Sequence, residues 1–598
     1  MCGIVGYIGG RRAAPVLLKS LKRLEYRGYD SAGMATLSGK IQVKKDRGRI
    51  DEIHAKLNFE DMEGNLGISH SRWATHGAPS MENAHPHTDN AGKIAVVHNG
   101  IIENYIELKK YLTKHGYNFR SQTDTEVIPN LISHFMAKGL TLEESVRRTC
   151  ERLRGSYALG IICAETPEKL IGVRKESPLV VGAGKGEMFI ASDIPALLDH
   201  ARKFIPLEDG EMAVLTAEGY RIFDMKSGRA VKRYPMTVSW TAEMAEKHGF
   251  PHFTVKEIYE QPTAIRETLR DPSGAKKLAG MMLRSRRTYF VACGTSYHAA
   301  LVGKYALAKL ADVPVEAVIS SEFKESCRPG RGDLLLAITQ SGETADTLSA
   351  VRFAKENGAR IACLTNVVGS SITRESDAVC YTHAGPEVSV VATKTFSAQT
   401  AFLLHLSAEA ARLKGLRKEA DALTAGLKKV PNLVGKTINS CENRVRRMAE
   451  KHCGADHIYL IGRGIGYPIV MEGALKLKEI TYIHSEAMPA GELKHGTLAL
   501  IDRGTPVIAV VPPGENRTRM INNIEEVKAR GATVIAISGG DDDIKEHIDE
   551  SILIPPTEEL FSPFLYIIPL QLLAYHMTVK RGQDPDRPRS LAKSVTVE

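Results

Sequence analysis

The sequence lacks the features that would place a chain in or across a membrane. No stretch of its 598 residues approaches the roughly 18 consecutive apolar residues that a membrane helix needs. The N-terminus has no basic region followed by an apolar core, so no secretory signal is expected. We therefore expect a cytoplasmic protein without a membrane span.

Paired cysteines and a strong excess of one charge are also missing. The nine cysteines are odd in number, widely spaced and without a C-x-x-C pair, which favours a reducing compartment over a disulfide framework. The net charge of +9 is small for this length, and no basic stripe is interleaved with aromatic residues, which argues against nucleic-acid binding. His85 and His87 in NAHPHTD have no evident third ligand group, so we expect neither a metal nor another cofactor.

Short strand-like runs dominate the first part of the chain. GIVGYI, NLGISH, KIAVVHN, LGIIC and EMFIASD are separated by turns, and helices are predicted near 12–25 and 124–153. This pattern indicates stacked sheets flanked by helices, over residues 2–238. The polar segment 239–253, SWTAEMAEKHGFPHF, has no clear strand period and ends in a proline turn, so it is the predicted linker.

The remainder of the chain alternates strands with helices and repeats itself. YFVACGTSYHAALVGKYALAKL, starting at Tyr289, matches YLIGRGIGYPIVMEGALKLKEI, which starts 170 positions later at Tyr459. Two further strand–turn–helix units recur at offsets of 172 and 173. The spacing predicts two similar domains with parallel sheets in tandem, at 254–425 and 426–598.

The two copies differ at a turn that is important for ligand binding. The first copy has TQSGET, residues 339–344, after a strand, whereas the second copy has VPPGEN. Hydroxyl groups and free backbone N–H groups at a helix N-terminus form an anion site, and prolines remove such donors. Because CGTS, residues 293–296, is a second turn of this kind, the sequence predicts one phosphate site, in the first copy.

Cys2 directly follows the initiator methionine. Removal of Met1 would give Cys2 a free amine, whose pKa near about 8 suits a base for the adjacent thiol. Met1 retention would make the chain an unprocessed precursor. Asn99–Gly100 at a strand end can stabilise an oxyanion. Arg72 and Asp124 suit a substrate that carries a carboxylate and an ammonium, although a helix-capping role alone would also explain Asp124.

Several motifs together resemble a known family. Cys2-Gly-Ile, RWATHG, HNGIIEN and TDTE are similar to the glutaminase domain of the N-terminal-nucleophile (Ntn) amidotransferases. CGTS, SGETADT, EGALKLKE and AGELKHG are similar to paired sugar-isomerase (SIS) domains. Together with the tail LAKSVTVE, the whole chain resembles the glucosamine-6-phosphate synthase family. The resemblance implies a multidomain α/β protein, with an N-terminal αββα-sandwich glutaminase followed by two doubly wound parallel-sheet SIS domains.

The resemblance also implies an activity and roles for residues of the first domain. The family transfers the amide nitrogen of L-glutamine to D-fructose 6-phosphate and isomerises the product to D-glucosamine 6-phosphate. Cys2 would be the nucleophile, Asn99 and Gly100 the oxyanion hole, and Arg72 and Asp124 the groups that hold the glutamine carboxylate and amine. Further residues would gate an ammonia channel or line the glutamine pocket: Trp73, Thr75, His76 and Gly77.

For the second half, the resemblance implies a phosphosugar site. Glu479 would move a proton between C1 and C2, Lys476 would lie near the carbonyl, and Lys593 would form a Schiff base with the open-chain ketose. His495 would open the sugar ring from the neighbouring subunit of a homodimer. The remaining residues would bind the sugar phosphate: Thr295, Ser296, Thr339, Gln340, Ser341, Thr344 and Val390.

Some positions depart from the family pattern, and different functions remain open. Ala392 replaces a serine, and Met488, Pro489 and Thr497 differ from the frequent motif next to His495. SGGDDD, residues 538–543, invites comparison with the ATP loop of asparagine synthetases but lacks the final serine. The chain could also be a phosphosugar-binding regulator with inactive SIS domains, or a deglycase or deaminase of aminated sugar phosphates.

Overall fold

The computed structural model describes residues 2–73, 77–237, 243–540 and 542–596. The chain divides into two compact units, the first formed by Met1–Ala245 with Ala592–Glu598 and the second by Glu246–Leu591. The division after Ala245 falls within the predicted linker, part of which lies outside the described residues. The short C-terminal segment with Lys593 groups with the first unit, although the sequence prediction assigned it to the second SIS domain.

Two antiparallel sheets form the centre of the first unit. In spatial order, the strands of the first sheet are Met236–Thr237, Lys203–Pro206, Val180–Ala183, Glu187–Ala191, Gly3–Gly9, Leu66–Arg72, Ser31–Ser38 and Lys40–Arg47. Those of the second sheet are Ala230–Val231, Gly219–Asp224, Glu211–Thr216, Leu170–Lys175, Gly155–Cys163, Ile94–Ile102 and His87–Thr88. All five strand-like runs of the sequence lie on these strands.

Helices cover the outer faces of the two sheets, so the unit has four layers, αββα. The helices are Ala13–Lys22, Ile50–Leu57, Tyr105–Lys114, Val127–Met136 and Leu142–Arg152. Alternate residues of strand Ile94–Ile102 face different layers, because successive side chains of a strand point in opposite directions. Ala95 and Val97 pack between the sheets, whereas Ile94 and Val96 pack under the helices. The predicted sandwich is thus confirmed.

The predicted helix over 124–153 is two helices. Gly139 between them has a φ of +83°, in the left-handed region that ends helices. Thr141 then caps the second helix, since its hydroxyl accepts a hydrogen bond from the Glu144 N–H at 3.3 Å. The sequence prediction also missed two helices, Ile50–Leu57 and Tyr105–Lys114, which bury few residues and therefore have a weak apolar pattern.

The second unit contains two five-stranded parallel sheets of the same topology. In spatial order, the strands of one are Glu316–Ile319, Thr288–Ala292, Leu334–Ile338, Arg360–Thr365 and Ala378–Tyr381. Those of the other are His484–Pro489, His457–Gly462, Pro506–Val511, Thr533–Ser538 and Glu550–Leu553. Each sheet has the order 2-1-3-4-5, and the repeated sequence units lie on equivalent strands. The predicted tandem doubly wound domains are confirmed.

Thirteen helices pack around these sheets in the part of the second unit that the structure describes. They are Phe253–Tyr259, Gln261–Thr268, Ser273–Leu283, Gly294–Ala311, Phe323–Ser326, Ala345–Glu356, Ser371–Glu375, Lys394–Leu413, Arg417–Leu427, Val430–His452, Gly466–Thr481, Arg517–Lys528 and Ser562–Lys580. The boundary predicted between residues 425 and 426 falls inside one of these helices.

One described helical segment, Glu559–Lys580, is long and apolar enough to cross a membrane by length and composition alone. Polar residues interrupt its apolar residues, so it contains no run of about 18 consecutive apolar residues. Within the unit, 89% of its apolar window is buried. It packs against Val430–His452 and Gly466–Thr481. Its hydrophobicity is therefore explained by its place in the core.

Candidate active site

Cys2 lies directly before the buried strand Gly3–Gly9 of the first unit. Its Sγ accepts a hydrogen bond from the backbone N–H of Trp73 at 3.2 Å and lies 3.5 Å from the Trp73 carbonyl. Burial raises the pKa of the Cys2 thiol, whereas the Trp73 N–H and the Arg72 charge act to lower it. The thiol is therefore held in place beside groups that favour its thiolate.

Asn99 and Gly100 are consecutive residues of strand Ile94–Ile102, and Asn99 contacts Cys2. The Asn99 Nδ2 donates a hydrogen bond to the Cys2 carbonyl at 2.9 Å. Gly100 has a φ of +123°, and a Cβ there would overlap the Ser156 carbonyl of the adjacent strand. Only glycine fits this backbone conformation next to Asn99, whose amide contacts Cys2.

Arg72 and Asp124, the residues predicted to hold the two charged groups of a free amino acid, are both buried. Arg72 is buried at the end of strand Leu66–Arg72, and its Nη2 donates to the Gly77 carbonyl at 3.1 Å. Asp124 is also buried and accepts the Ile102 N–H at 2.7 Å. Burial lowers the pKa of Arg72, while the Asp124 charge opposes this change. Thr75 and His76, which were predicted to line the same pocket, lie outside the described residues.

Four buried histidines cluster next to Asn99: His70, His85, His87 and His98. Only His85 and His87 were named as a possible pair in the sequence. The ring centroid of His85 lies 4.3 Å from that of His70, 4.9 Å from that of His87 and 6.4 Å from that of His98. Burial lowers the pKa of His70 to about 3, and lowers those of His85 and His87 well below the ordinary histidine value. The rings of His70, His85 and His87 are therefore neutral at pH 7.

In the second unit, the two hydroxyl-rich turns lie at adjacent strand ends. Strands Thr288–Ala292 and Leu334–Ile338 pair in parallel, and CGTS and TQSGET follow them. The spatial order reverses between these strands, and doubly wound sheets bind ligands at such a switch point, outside the carboxyl ends. The turns thus occupy the position that this topology favours for a ligand.

The hydroxyl groups of the turns are held by local hydrogen bonds. Thr339 Oγ1 accepts the Gly342 N–H at 3.2 Å, and Ser341 Oγ accepts the Glu343 N–H at 3.2 Å. The Gln340 carbonyl accepts a hydrogen bond from the Asn366 N–H at 3.1 Å. Ser296 Oγ accepts one from Gln399 Nε2 at 3.0 Å. Thr344 directly precedes helix Ala345–Glu356. These bonds fix the shape of both turns.

Lys476 and two carboxylates of the second copy form a buried cluster that contacts Thr295 of the CGTS turn. Lys476 Nζ lies 2.7 Å from Glu479 Oε2, 3.2 Å from Glu472 Oε1 and 3.1 Å from Thr295 Oγ1. The Lys476 side chain is only 1% exposed. Burial would lower the pKa of Lys476, but the two carboxylates outweigh burial and hold that pKa above its ordinary value. The ammonium is therefore charged between Glu472 and Glu479.

Val390, His495 and Lys593 are the three remaining predicted residues of this site. Val390 is buried, and its N–H donates to the Asp586 carbonyl at 3.4 Å. His495 is exposed at the end of the short helical segment Ala490–His495. Lys593 belongs to the C-terminal segment of the first unit. The roles assigned to these residues stay predictions.

Glu472 and His298 are not among the residues predicted from the sequence. Glu472, Lys476 and Glu479 occupy positions i, i+4 and i+7 of helix Gly466–Thr481, which places them on one face. This spacing within EGALKLKE was a usable signal for Glu472. His298 follows CGTS by two residues, but its pairing with Glu472 bridges the two copies and has no signature in either segment.

Family models match both parts of the chain. A glutamine amidotransferase domain model matches residues 70–199, and a SIS domain model matches twice, at residues 281–408 and 453–581. The fold and the site therefore define a class of protein, an Ntn-type glutaminase joined to two SIS domains.

Similar proteins narrow this class to one family. The chain is 50% identical over 604 residues to the glutamine–fructose-6-phosphate aminotransferase (isomerizing) of Thermococcus kodakarensis, and 49% identical over 605 residues to that of Pyrococcus horikoshii. Both matches cover 100% of each chain. The chain belongs to the glutamine–fructose-6-phosphate aminotransferase (isomerizing) family.

A solved structure matches the second unit. The C-terminal domain of glucosamine-fructose-6-phosphate aminotransferase from Francisella tularensis is 37% identical, with a TM-score of 0.54. The match covers 57% of this chain and 100% of that one.

Proposed function

We propose that this protein transfers the amide nitrogen of L-glutamine to D-fructose 6-phosphate and isomerises the product to D-glucosamine 6-phosphate. L-Glutamate is released, and the reaction is the first step of amino-sugar (UDP-N-acetylglucosamine) synthesis. The observation that carries the proposal is that buried Lys476 contacts both Thr295 of a phosphate-type turn and Glu479. A glutaminase alone would not need this second centre.

The first half-reaction releases ammonia. The Cys2 thiolate attacks the side-chain amide carbon of glutamine, and the former carbonyl oxygen becomes an oxyanion that the Asn99 Nδ2 and the Gly100 N–H stabilise. The free amine of processed Cys2 takes the thiol proton and returns it to the leaving nitrogen. Ammonia departs, and water hydrolyses the γ-glutamyl thioester to glutamate. Arg72 and Asp124 hold the α-carboxylate and α-amine of the substrate.

The second half-reaction forms a C–N bond and moves a proton. Lys593 first condenses with C2 of the open-chain ketose, and water is lost. Ammonia then adds to C2, and departure of the lysine amine gives the imine. Glu479 removes a proton from C1 and returns a proton to C2, which converts the ketose imine into an amino aldose. Charged Lys476 lies beside Glu479 and stabilises negative charge that develops on the substrate oxygen.

Other residues complete this second site. The phosphate and sugar are held by Thr295, Ser296, Thr339, Gln340, Ser341, Thr344 and Val390. Lys593 forms a Schiff base with the open-chain ketose before ammonia displaces it. His495 opens the sugar ring in the neighbouring subunit of a homodimer, in agreement with its exposure on its own chain. We place the enzyme in the cytoplasm, where its nine free cysteines stay reduced.

A paired assay tests the proposal. Protein from which Met1 has been removed is given glutamine and fructose 6-phosphate, and glucosamine 6-phosphate and glutamate are both quantified. We expect equal amounts of the two products, and loss of both in Cys2→Ala. Added ammonium salt should restore the amino sugar in that variant. Glutamate without amino sugar from the unmodified protein would show that the acceptor is wrong.

A further inference from the structure

A histidine from the first copy holds a buried carboxylate of the second. His298 is the fifth residue of helix Gly294–Ala311, and its Nδ1 lies 2.7 Å from Glu472 Oε2. The two side chains are 10% and 0% exposed. The residues are 174 positions apart. The pair is therefore a tertiary contact that only the packing of the two copies creates.

The two oxygens of Glu472 have different partners. Oε2 faces His298, whereas Oε1 accepts from Thr295 Oγ1 at 3.0 Å and lies 3.2 Å from Lys476 Nζ. Lys476 also contacts Glu479 at 2.7 Å, so its ammonium is positioned between two carboxylates. Because a fully buried carboxylate is stable only when its oxygens are hydrogen-bonded, the His298 contact determines how the Glu472 carboxylate is oriented.

Loss of the His298 contact has a predictable effect. Oε2 of Glu472 would be left without that donor inside the protein, and the carboxylate would turn to share the nearest cation, Lys476. That rotation draws the ammonium away from Glu479 and from the Thr295 hydroxyl. Displacements on the order of 1 Å in such an arrangement lower turnover by up to about 100-fold.

We propose that His298 is a positioning residue for the isomerisation step: its Nδ1–H fixes Glu472 so that Lys476 stays aligned with Glu479. His298 acts through Glu472 and needs no contact with the sugar. The inference rests on the proposed function, since it assigns Lys476 and Glu479 to the sugar chemistry.

Three substitutions separate hydrogen bonding from bulk. In His298→Asn, the side-chain Nδ2 stands on Cγ, as Nδ1 does in histidine, and can donate to the same oxygen. His298→Gln moves the donor one bond further out, and His298→Leu removes it. With ammonium salt and fructose 6-phosphate as substrates, we expect kcat to fall by about 10- to 100-fold in the Leu and Gln variants. His298→Asn should stay within about threefold of the unmodified protein.

Two readouts exclude a merely structural role. The KM for fructose 6-phosphate should change by less than about twofold, because the hydrogen bonds that hold the Thr339 and Ser341 hydroxyls of TQSGET do not involve His298 or Glu472. Glutamine hydrolysis without the sugar should be unchanged in all three variants. His452→Leu is the matched control, since His452 Nε2 makes an equally short 2.7 Å contact with Glu550 at the outer strand of the second sheet. The His452→Leu variant should have a lower thermal stability but an unchanged kcat.

The outcomes are distinguishable. If the unmodified protein forms no amino sugar from fructose 6-phosphate with either glutamine or ammonium salt, the proposed function fails and the inference fails with it. If it does form amino sugar and His298→Leu retains its kcat, the inference alone is overturned. If His298→Leu does not fold, His298→Gln decides between the same two results. An Asn variant as slow as the Leu and Gln variants also overturns the inference, because the Nδ1 hydrogen bond is then not the cause.

Discussion

His70 Nε2 lies 3.0 Å from Asn99 Oδ1. The same nitrogen lies 3.0 Å from the carbonyl of His98, and because a carbonyl only accepts hydrogen bonds, Nε2 carries the hydrogen. His70 is therefore the Nε2–H tautomer and donates to the Asn99 oxygen. The Asn99 Nδ2 consequently faces Cys2, which is the orientation that an oxyanion hole requires.

Asn99→Ala should therefore disable the glutaminase. The substitution removes an oriented amide donor next to the nucleophile, and the loss of one such donor lowers kcat by about 100- to 1,000-fold. Glutamate release from glutamine measures the effect. Asn104→Ala is the matched control, because the Asn104 amide also bridges backbone groups of the same unit, at 2.9 and 3.0 Å. Equal losses in both variants would contradict a role specific to Asn99, and amino-sugar formation from ammonium salt should persist in Asn99→Ala.

The buried histidines make the first unit sensitive to acid. The pKa of His70 is about 3 in the folded chain, whereas an unfolded histidine titrates near about 6.5. Between these values the unfolded chain binds more protons, so the free energy of unfolding rises with pH. The stabilisation is complete above about pH 6.5 and is lost as the pH falls towards about 3, by at most about 1.4 kcal/mol per pH unit for His70. His85 and His87 act in the same direction.

Urea unfolding between pH 8 and pH 5 checks this dependence. Both tryptophans, Trp73 and Trp240, precede residue 246, so tryptophan fluorescence reports only the first part of the chain. His70→Gln keeps a donor but cannot titrate, and it should reduce the slope of unfolding free energy against pH. The control is His115→Gln, since His115 is exposed and should leave the slope unchanged. A slope that is the same in His70→Gln and the unmodified protein would contradict the prediction.

Gly342→Ala should weaken phosphosugar binding. Gly342 in TQSGET has a φ of +68°, and a Cβ there would overlap the Ser370 hydroxyl. The turn must shift, which displaces the Thr339 and Ser341 hydroxyls, and we expect the KM for fructose 6-phosphate to rise by about 10-fold or more. Gly358 has a similar φ of +85°, but the atom nearest to an added Cβ lies 3.8 Å away, so Gly358→Ala introduces backbone strain without a close contact. That control should cost stability but not raise KM, and a similar KM increase in both variants would refute a specific role of the turn.

Lys476→Met should abolish the sugar chemistry and destabilise the second unit. The substitution leaves Glu472 and Glu479 without their shared cation, and removal of one partner from a buried ion pair costs about 3–5 kcal/mol. Thermal unfolding measures the loss of stability, and amino-sugar formation from ammonium salt measures the loss of activity. Lys478→Met is the control, because Lys478 is exposed on the same helix. Glutamine hydrolysis should remain. An active Lys476→Met protein would exclude Lys476 from the reaction.

The sequence determined the parts of this protein that depend on short segments. The turn TQSGET, the Cys2 terminus and the repeated strand–turn–helix units are local, because turn chemistry and hydrophobic period act over a few residues. They sufficed to predict the sandwich and the tandem sheets, and they indicated most of the residues that we propose for the two sites. The split of the 124–153 helix at Gly139 was also local, but one glycine is a weak signal in a helical pattern.

The tertiary structure alone decided the partners of those residues. His70 meets Asn99, and His298 meets Glu472 across 174 positions, because separate strands and helices pack their faces together. No pattern within a segment encodes such pairs, since a polar side chain finds its partner only when burial removes water from both groups. The same packing turns the apolar helix Glu559–Lys580 into a core element and holds Lys476 charged between two carboxylates.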